Sequence, residues 1–405
     1  MNTKKFSDAL SEIDDRYVQE AAQYQKHPPK ARWIKWSAAA ACLAAVVYMG
    51  SRPSLSKPQG DTDNLPLLTV TNDMSDGMGF EGYMAYDITE LVNANPWSEE
   101  LSLSTLPVYQ NPLSCNEAQN ASGADLDKMR AFLLEIAGRL GLDTDLLTIT
   151  DDVPDKETQQ IIREKFEMAG SVVPEGYFEP TRLIIQTEDL KIEVGQSLTA
   201  DITFEPAAAL PGRYRFTHFS SYEEAVAAGQ YLKAQYRGLI GMEEPQMDIC
   251  GGDYNIYGQQ AYSIEFFEAK GNAAEKILHY NFKRAAFYCD DEGKLFLVRI
   301  SCPDLSQQVG DYPVITLEEA EKLLINGNYL TTVPYEMPGL AHIKKAELIY
   351  RSGAREEYFM PYYRFYVELP EESQENGLKT YGAYYVPAVS GEYIANMPVW
   401  DERFN

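Results

Sequence analysis

SSYEEAVAAGQYLKAQYRGLI (220–240) is followed by AYSIEFFE (261–268), ILHYNFKRAAFY (277–288) and KLFLVRI (294–300), and this order decides the fold. The spacing predicts a helix over 222–239, with Ser220 and Glu223 placed as a capping box for its first amides. The three later runs read as strands. Asp290-Asp291-Glu292-Gly293 supplies turn chemistry that makes the last two a hairpin. A helix followed by a meander implies an antiparallel sheet with helices on one face, hence α+β rather than a doubly wound parallel fold.

The same order occurs on both sides of this stretch. Upstream, Leu126, Met129, Leu133, Ile136 and Leu140 form one helix face that Gly141 closes. A charged helix over 157–169 precedes strands at 182–186, 191–194 and 199–204. Downstream, Thr316 and Glu319 form a capping box for 317–324, ahead of strands at 343–351, 358–369 and 381–386. The chain is therefore expected to hold repeated helix-plus-antiparallel-meander modules at 67–210, 211–310 and 311–405.

What precedes them differs in character. Ser37–Gly50 reads SAAAACLAAVVYMG, without a charge, and Trp33, Ile34 and Trp36 extend it. With Lys35 able to snorkel, 33–50 reads as a short transmembrane helix with an interfacial tryptophan belt. Lys26, Lys30, Arg32 and Lys35 before it outnumber Arg52 and Lys57 after it, which puts the N-terminus in the cytoplasm. The charged region ahead of the span is too long for a cleaved signal peptide, so an uncleaved anchor is expected. Residues 51–66 are a linker by composition. In the tail, 1–32, Phe6, Leu10, Ile13 and Tyr17 make an apolar stripe on a helix, which either packs on its own membrane neighbours or is a docking face for a cytoplasmic protein.

Charge narrows the partners. The chain carries −26, of which residues 1–36 hold seven basic and five acidic side chains, leaving −28 beyond them. So acidic a region repels nucleic-acid phosphate, and no nucleic acid is expected. Of the five cysteines, none forms a C-x-x-C pair; Cys250, Cys289 and Cys302 could pair but read rather as buried free thiols.

Catalytic patterns are hard to find. His27, His218, His279 and His342 stand apart, without ligand spacing. Ser54 and Lys57 match S-x-x-K inside the proline-rich linker. Asp253 and Asn255 begin like a calcium loop, but Tyr257 and Ile264 occupy ligand positions, so with Gly251 and Gly252 the stretch reads as a strand-connecting turn. No cofactor, metal or enzymatic activity is expected. Aromatic residues carry more. The strand over 358–369 alternates Tyr362, Arg364 and Tyr366 with Tyr363 and Phe365, so one face fills a core; the other, with Tyr362, Arg364 and Tyr366, is either covered by a helix or neighbouring module or offered to a peptide, glycan or protein.

Two regions resemble known families. DALSEIDDRY (8–17), with Trp33-Ile34-Lys35-Trp36 and the Ala-Ala-Cys-Leu of 40–43, resembles single-pass membrane regulators of clostridial-type bacteria, anti-sigma-factor-like proteins among them. That resemblance implies a sigma factor at the tail; with only His27 and no cysteine there, it implies no zinc. PYYRFY (361–366) and YYVPAVSGEYI (384–394) are similar to PepSY-like extracytoplasmic modules. Together these point to a non-enzymatic, membrane-anchored regulator or sensor that binds a cell-surface partner. The alternative is an anchored peptide- or glycan-binding module with an inert tail.

Overall fold

The computed structural model describes residues 65–71, 80–113, 125–353, 355–402 and 404. Residues 1–64 lie outside them, and with them the expected tail helix bearing Phe6, Leu10, Ile13 and Tyr17 and the expected span. No helix among the described residues is long and apolar enough to cross a membrane.

Two strands come first, β1 (Gly82–Ala85) and β2 (Thr105–Gln110). Helix α1 (Leu126–Arg139), β3 (Ile149–Asp151), α2 (Lys156–Met168), β4 (Arg182–Gln186), β5 (Leu190–Gly195) and β6 (Thr199–Ala208) follow. Next are α3 (Tyr222–Gln235), α4 (Arg237–Ile240), β7 (Pro245–Tyr254), β8 (Gln260–Glu268), α5 (Ala273–Phe282), β9 (Arg284–Cys289) and β10 (Leu295–Ser301). The chain ends with β11 (Gln308–Pro313), α6 (Leu317–Ile325), β12 (Leu330–Thr331), β13 (Ile343–Tyr350), β14 (Tyr358–Phe359), β15 (Pro361–Leu369) and β16 (Lys379–Pro387).

The fold is mixed α/β, and the strand ladders are antiparallel, as the helix-then-meander order implies. Eight strands form one sheet in the order β3-β4-β5-β6-β10-β9-β8-β7. Two meanders thus meet through their last strands, and the sheet runs without a break across residue 210. Helices α1 and α3 lie on the same face. Met129, Leu133 and Ile136 of α1 and Ala225, Ala228 and Leu232 of α3 share a core with Ile192, Ile202, Ile264 and Val298. Each such Leu or Ile contributes about 1.5–3 kcal/mol by leaving water. A second sheet, β1-β16-β15-β13 with β12 also on β16, and a third, β11-β2-β14, draw on both ends of the described chain.

The structure departs from the local expectations in three places. The α3 capping box is Ser221 with Glu224 rather than Ser220 with Glu223, because the Ser220 hydroxyl is already taken by the Thr217 amide in the preceding turn. The strand expected over 277–288 divides. Asn272 and Glu275 form another capping box and start α5, whose Ile277 and Tyr280 face inward at helical spacing; only Arg284–Cys289 is extended. Strand β7 stands where Gly251 and Gly252 suggest a turn. They are instead strand residues with φ of +126° and +101° beside a register shift in the β7–β8 ladder.

Candidate functional site: an exposed aromatic platform

The aromatic face expected on Tyr362, Arg364 and Tyr366 is covered. Tyr362 is fully buried with Leu68, Val70, Val108 and Met360. Tyr366 packs edge-on against Tyr83 of β1, with centroids 5.6 Å apart. Tyr363 and Phe365 fill the core on the other side. The alternation is present, but segments far away in sequence cover the second face.

Arg364 is tied to Glu347, which Lys345 also reaches at 2.6 Å. Burial opposes ionisation of Glu347, but Arg364 and Lys345 outweigh it and hold the carboxyl below its ordinary range. A second buried set ties Arg284 to Asp248 at 2.6 Å and to Glu265 at 2.5 Å. The segment after β1 joins both sets: the Ala94 backbone amide donates to Asp248 and the Asn93 side-chain amide to Glu347, each at 2.7 Å. These carboxylates are engaged from several sides, and the network acts as a seam between the two sheets. Beside it, burial and Glu265 push the Cys250 thiol far up, away from a nucleophilic thiolate.

The histidines remain separate: His218 is exposed beside Phe219, His279 lies on α5 and His342 in the turn Leu340–His342. No group of three His, Cys, Asp or Glu side chains among the described residues can hold a metal. An open groove of about 270 Å³ runs between Pro334, Tyr335, Met337 and Pro338 on one wall and Leu369 and Pro370 on the other. Its Tyr335 hydroxyl is bound to Glu372.

Exposed aromatic surface gathers instead around the β7–β8 hairpin. Beneath it, half-buried Tyr254 and buried Tyr262 stand on one face of that hairpin, since Tyr254 pairs with Gln260 and Gly251 with Tyr262. Tyr86 meets Tyr254 edge-on at 5.4 Å, and Tyr222, at the start of α3, meets Tyr262 edge-on at 5.7 Å. The His218 carbonyl accepts the Tyr262 amide, which brings exposed Phe219 alongside. At the hairpin tip Ile256 and Tyr257 are 83% and 80% exposed, far beyond what a spare core residue shows. The tip is nonetheless fixed: the Asn255 side chain accepts from the amides of Tyr257 and Gln259 at 2.9 and 3.1 Å.

Two glycines let this surface assemble. A Cβ on Gly252 would sit 1.9 Å from the Glu90 carbonyl oxygen, so only glycine allows the segment carrying Tyr86 and Glu90 to lie against β7. Val92 and Gly251 then exchange two backbone hydrogen bonds, 3.0 and 3.2 Å long. Burial, then Glu90 and Tyr86, push the Tyr254 hydroxyl up; burial, Tyr254, Glu90 and Glu223 do the same to Tyr262. The phenols are neutral donors in a negative local field. Nothing in the sequence groups Tyr86, Tyr222 and Tyr254; the only local signal is Asn255-Ile256-Tyr257-Gly258, apolar residues inside turn chemistry. The chain matches no protein-family model and no curated protein.

Proposed function

We propose that this chain is a non-enzymatic membrane-anchored regulator or sensor, and that the aromatic platform is where it meets a partner at the cell surface. The observation that carries this reading is a fixed aromatic patch at the β7–β8 hairpin, where Tyr86, Tyr222, Ile256 and Tyr257 are exposed around half-buried Tyr254 and buried Tyr262. Rings that bury little and are held still lose little entropy when a partner arrives, the property that enriches tyrosine at interfaces. In this reading 33–50 spans the membrane, 1–32 is cytoplasmic, and the antiparallel α/β region beyond residue 66 stands outside, its C-terminal part PepSY-like. The stripe Phe6, Leu10, Ile13 and Tyr17 contacts a cytoplasmic protein, a sigma factor by the resemblance of the tail.

Topology and partner are tested separately. In intact cells, with Cys42 and Cys115 replaced by serine, a membrane-impermeant maleimide should label exposed Cys302. Labelling only after lysis would overturn the topology. A photo-crosslinking residue at 257 should capture a surface component, and the product should vanish in a Tyr222→Leu/Tyr254→Leu variant. If deleting residues 1–26 leaves the cellular response intact while the platform variant abolishes it, the inert-tail binding module is the better description.

A further inference from the structure

Lysine and arginine side chains stand over several of the tyrosines of this chain. Arg284 stands over Tyr280, Arg299 over Tyr288, Arg351 over Tyr362 and Tyr385, and Arg364 and Lys345 over Tyr366, at 4.8–6.0 Å from the ring centroids. Among the described residues no lysine or arginine stands over Tyr86, Tyr222, Tyr254, Tyr257 or Tyr262. Carboxylates flank these rings instead. Glu90 receives the Tyr86 amide at 3.2 Å and lies along β7, and exposed Glu223 follows Tyr222 directly. Neither is in an ion pair among the described residues.

Ring faces are negative and carboxylates are anionic, so both features select the same charge. From the reading of the platform as a binding surface, we infer that its occupant is a lysine- or arginine-bearing segment of a protein partner, seated with its cation over the rings and its flanking apolar residues on Ile256 and Tyr257. The −28 carried beyond residue 36 steers such a segment in from a distance. A neutral glycan would use the rings and gain nothing from Glu90 and Glu223. An anionic polymer would be repelled.

The test uses the full chain in detergent micelles and fluorescein-labelled octapeptides of alternating arginine and leucine, lysine and leucine, or glutamate and leucine, with chitotetraose as a neutral glycan. The two cationic peptides should bind, more weakly as salt rises, and the glutamate peptide should not. Tyr222→Leu/Tyr254→Leu keeps apolar bulk and removes the ring faces; it should weaken the arginine peptide by roughly tenfold. Glu90→Gln/Glu223→Gln should weaken it about three- to tenfold. Asp143→Asn/Asp145→Asn, in the turn after α1, should leave it unchanged, which separates a site from diffuse attraction to an acidic surface. Equal binding by all three variants, or binding of chitotetraose in place of the peptides, would overturn the inference. If crosslinking at 257 persists in that event, only the cation preference has failed; if crosslinking at 257 and platform-dependent binding of every probe are both missing, the binding-surface reading has failed too.

Discussion

Replacing Gly252 by alanine sets a methyl carbon against the Glu90 carbonyl oxygen at 1.9 Å, a separation that no side-chain rotation relieves. Two costs follow. A backbone φ of +101° is costly for any residue with a Cβ, about 1–2 kcal/mol. Moving Glu90 away also strains the two hydrogen bonds between Val92 and Gly251, each worth about 1 kcal/mol net. The total is about 3–4 kcal/mol, a large part of the roughly 5–15 kcal/mol that holds a typical domain together. Gly258→Ala isolates the first cost, since Gly258 also has positive φ, +71°, but a Cβ there would meet no atom within 4 Å. Urea unfolding followed by tryptophan fluorescence should place Gly252→Ala about 2 kcal/mol below Gly258→Ala. If the segment peels off rather than the whole fold yielding, amide exchange at residues 90–92 should accelerate by roughly a hundredfold instead. Equal stability of the two variants, with unchanged exchange at 90–92, would refute the claim that this glycine holds the platform together.

Two further outcomes concern the buried charges. Burial raises the Glu268 carboxyl, but the amides of Glu243 and Glu244 and the Lys283 ammonium outweigh it and pull it down to about 2. Its stabilisation is present above an ordinary 4.5 and is lost as pH falls from there through 2, at most about 3 kcal/mol. Glu268→Gln should flatten the fall of the urea midpoint in that window, and an unaltered slope would refute it. Glu347→Leu leaves Arg364 buried without its carboxylate and should cost about 3–5 kcal/mol, whereas Glu347→Leu with Arg364→Met should recover most of that; a double variant no better than the single one would show that the pair is not the source.

How much of this is legible in the sequence follows from where each signal resides. Strand β4 is legible to the residue, α1, α2 and α6 nearly so, and the turn joining β9 to β10 is read in place, because caps, glycines and periodicity are local. Residues 277–288 mislead because Ile277 and Tyr280 are three apart, as on a helix, while Tyr280 and Phe282 are two apart, as on a strand, and the Asn272 cap that arbitrates lies outside the run. Strand β7 is hidden because its glycines serve a close approach by Glu90, some 160 residues away in sequence. The site is hidden for the same reason. What covers Tyr362 and Tyr366 is not legible because it comes from residues 65–71, β1 and β2, while the rings that are exposed become neighbours only when β7, α3 and the segment after β1 converge.

The segment at residues 65–71 is also a point of mechanical entry. Leu68 is held from both sides, its amide donating to Tyr393 and its carbonyl accepting from Ala395 at 2.8 Å each. Val70 is gripped the same way by the Asn396 side chain at 2.7 and 2.9 Å. Because Leu68 and Ile394 run parallel, a pull on the chain ahead of Leu65 loads these bonds together, in shear, and passes into the C-terminal residues before it reaches the large sheet. Tension at one end of the polypeptide is therefore felt first at the other.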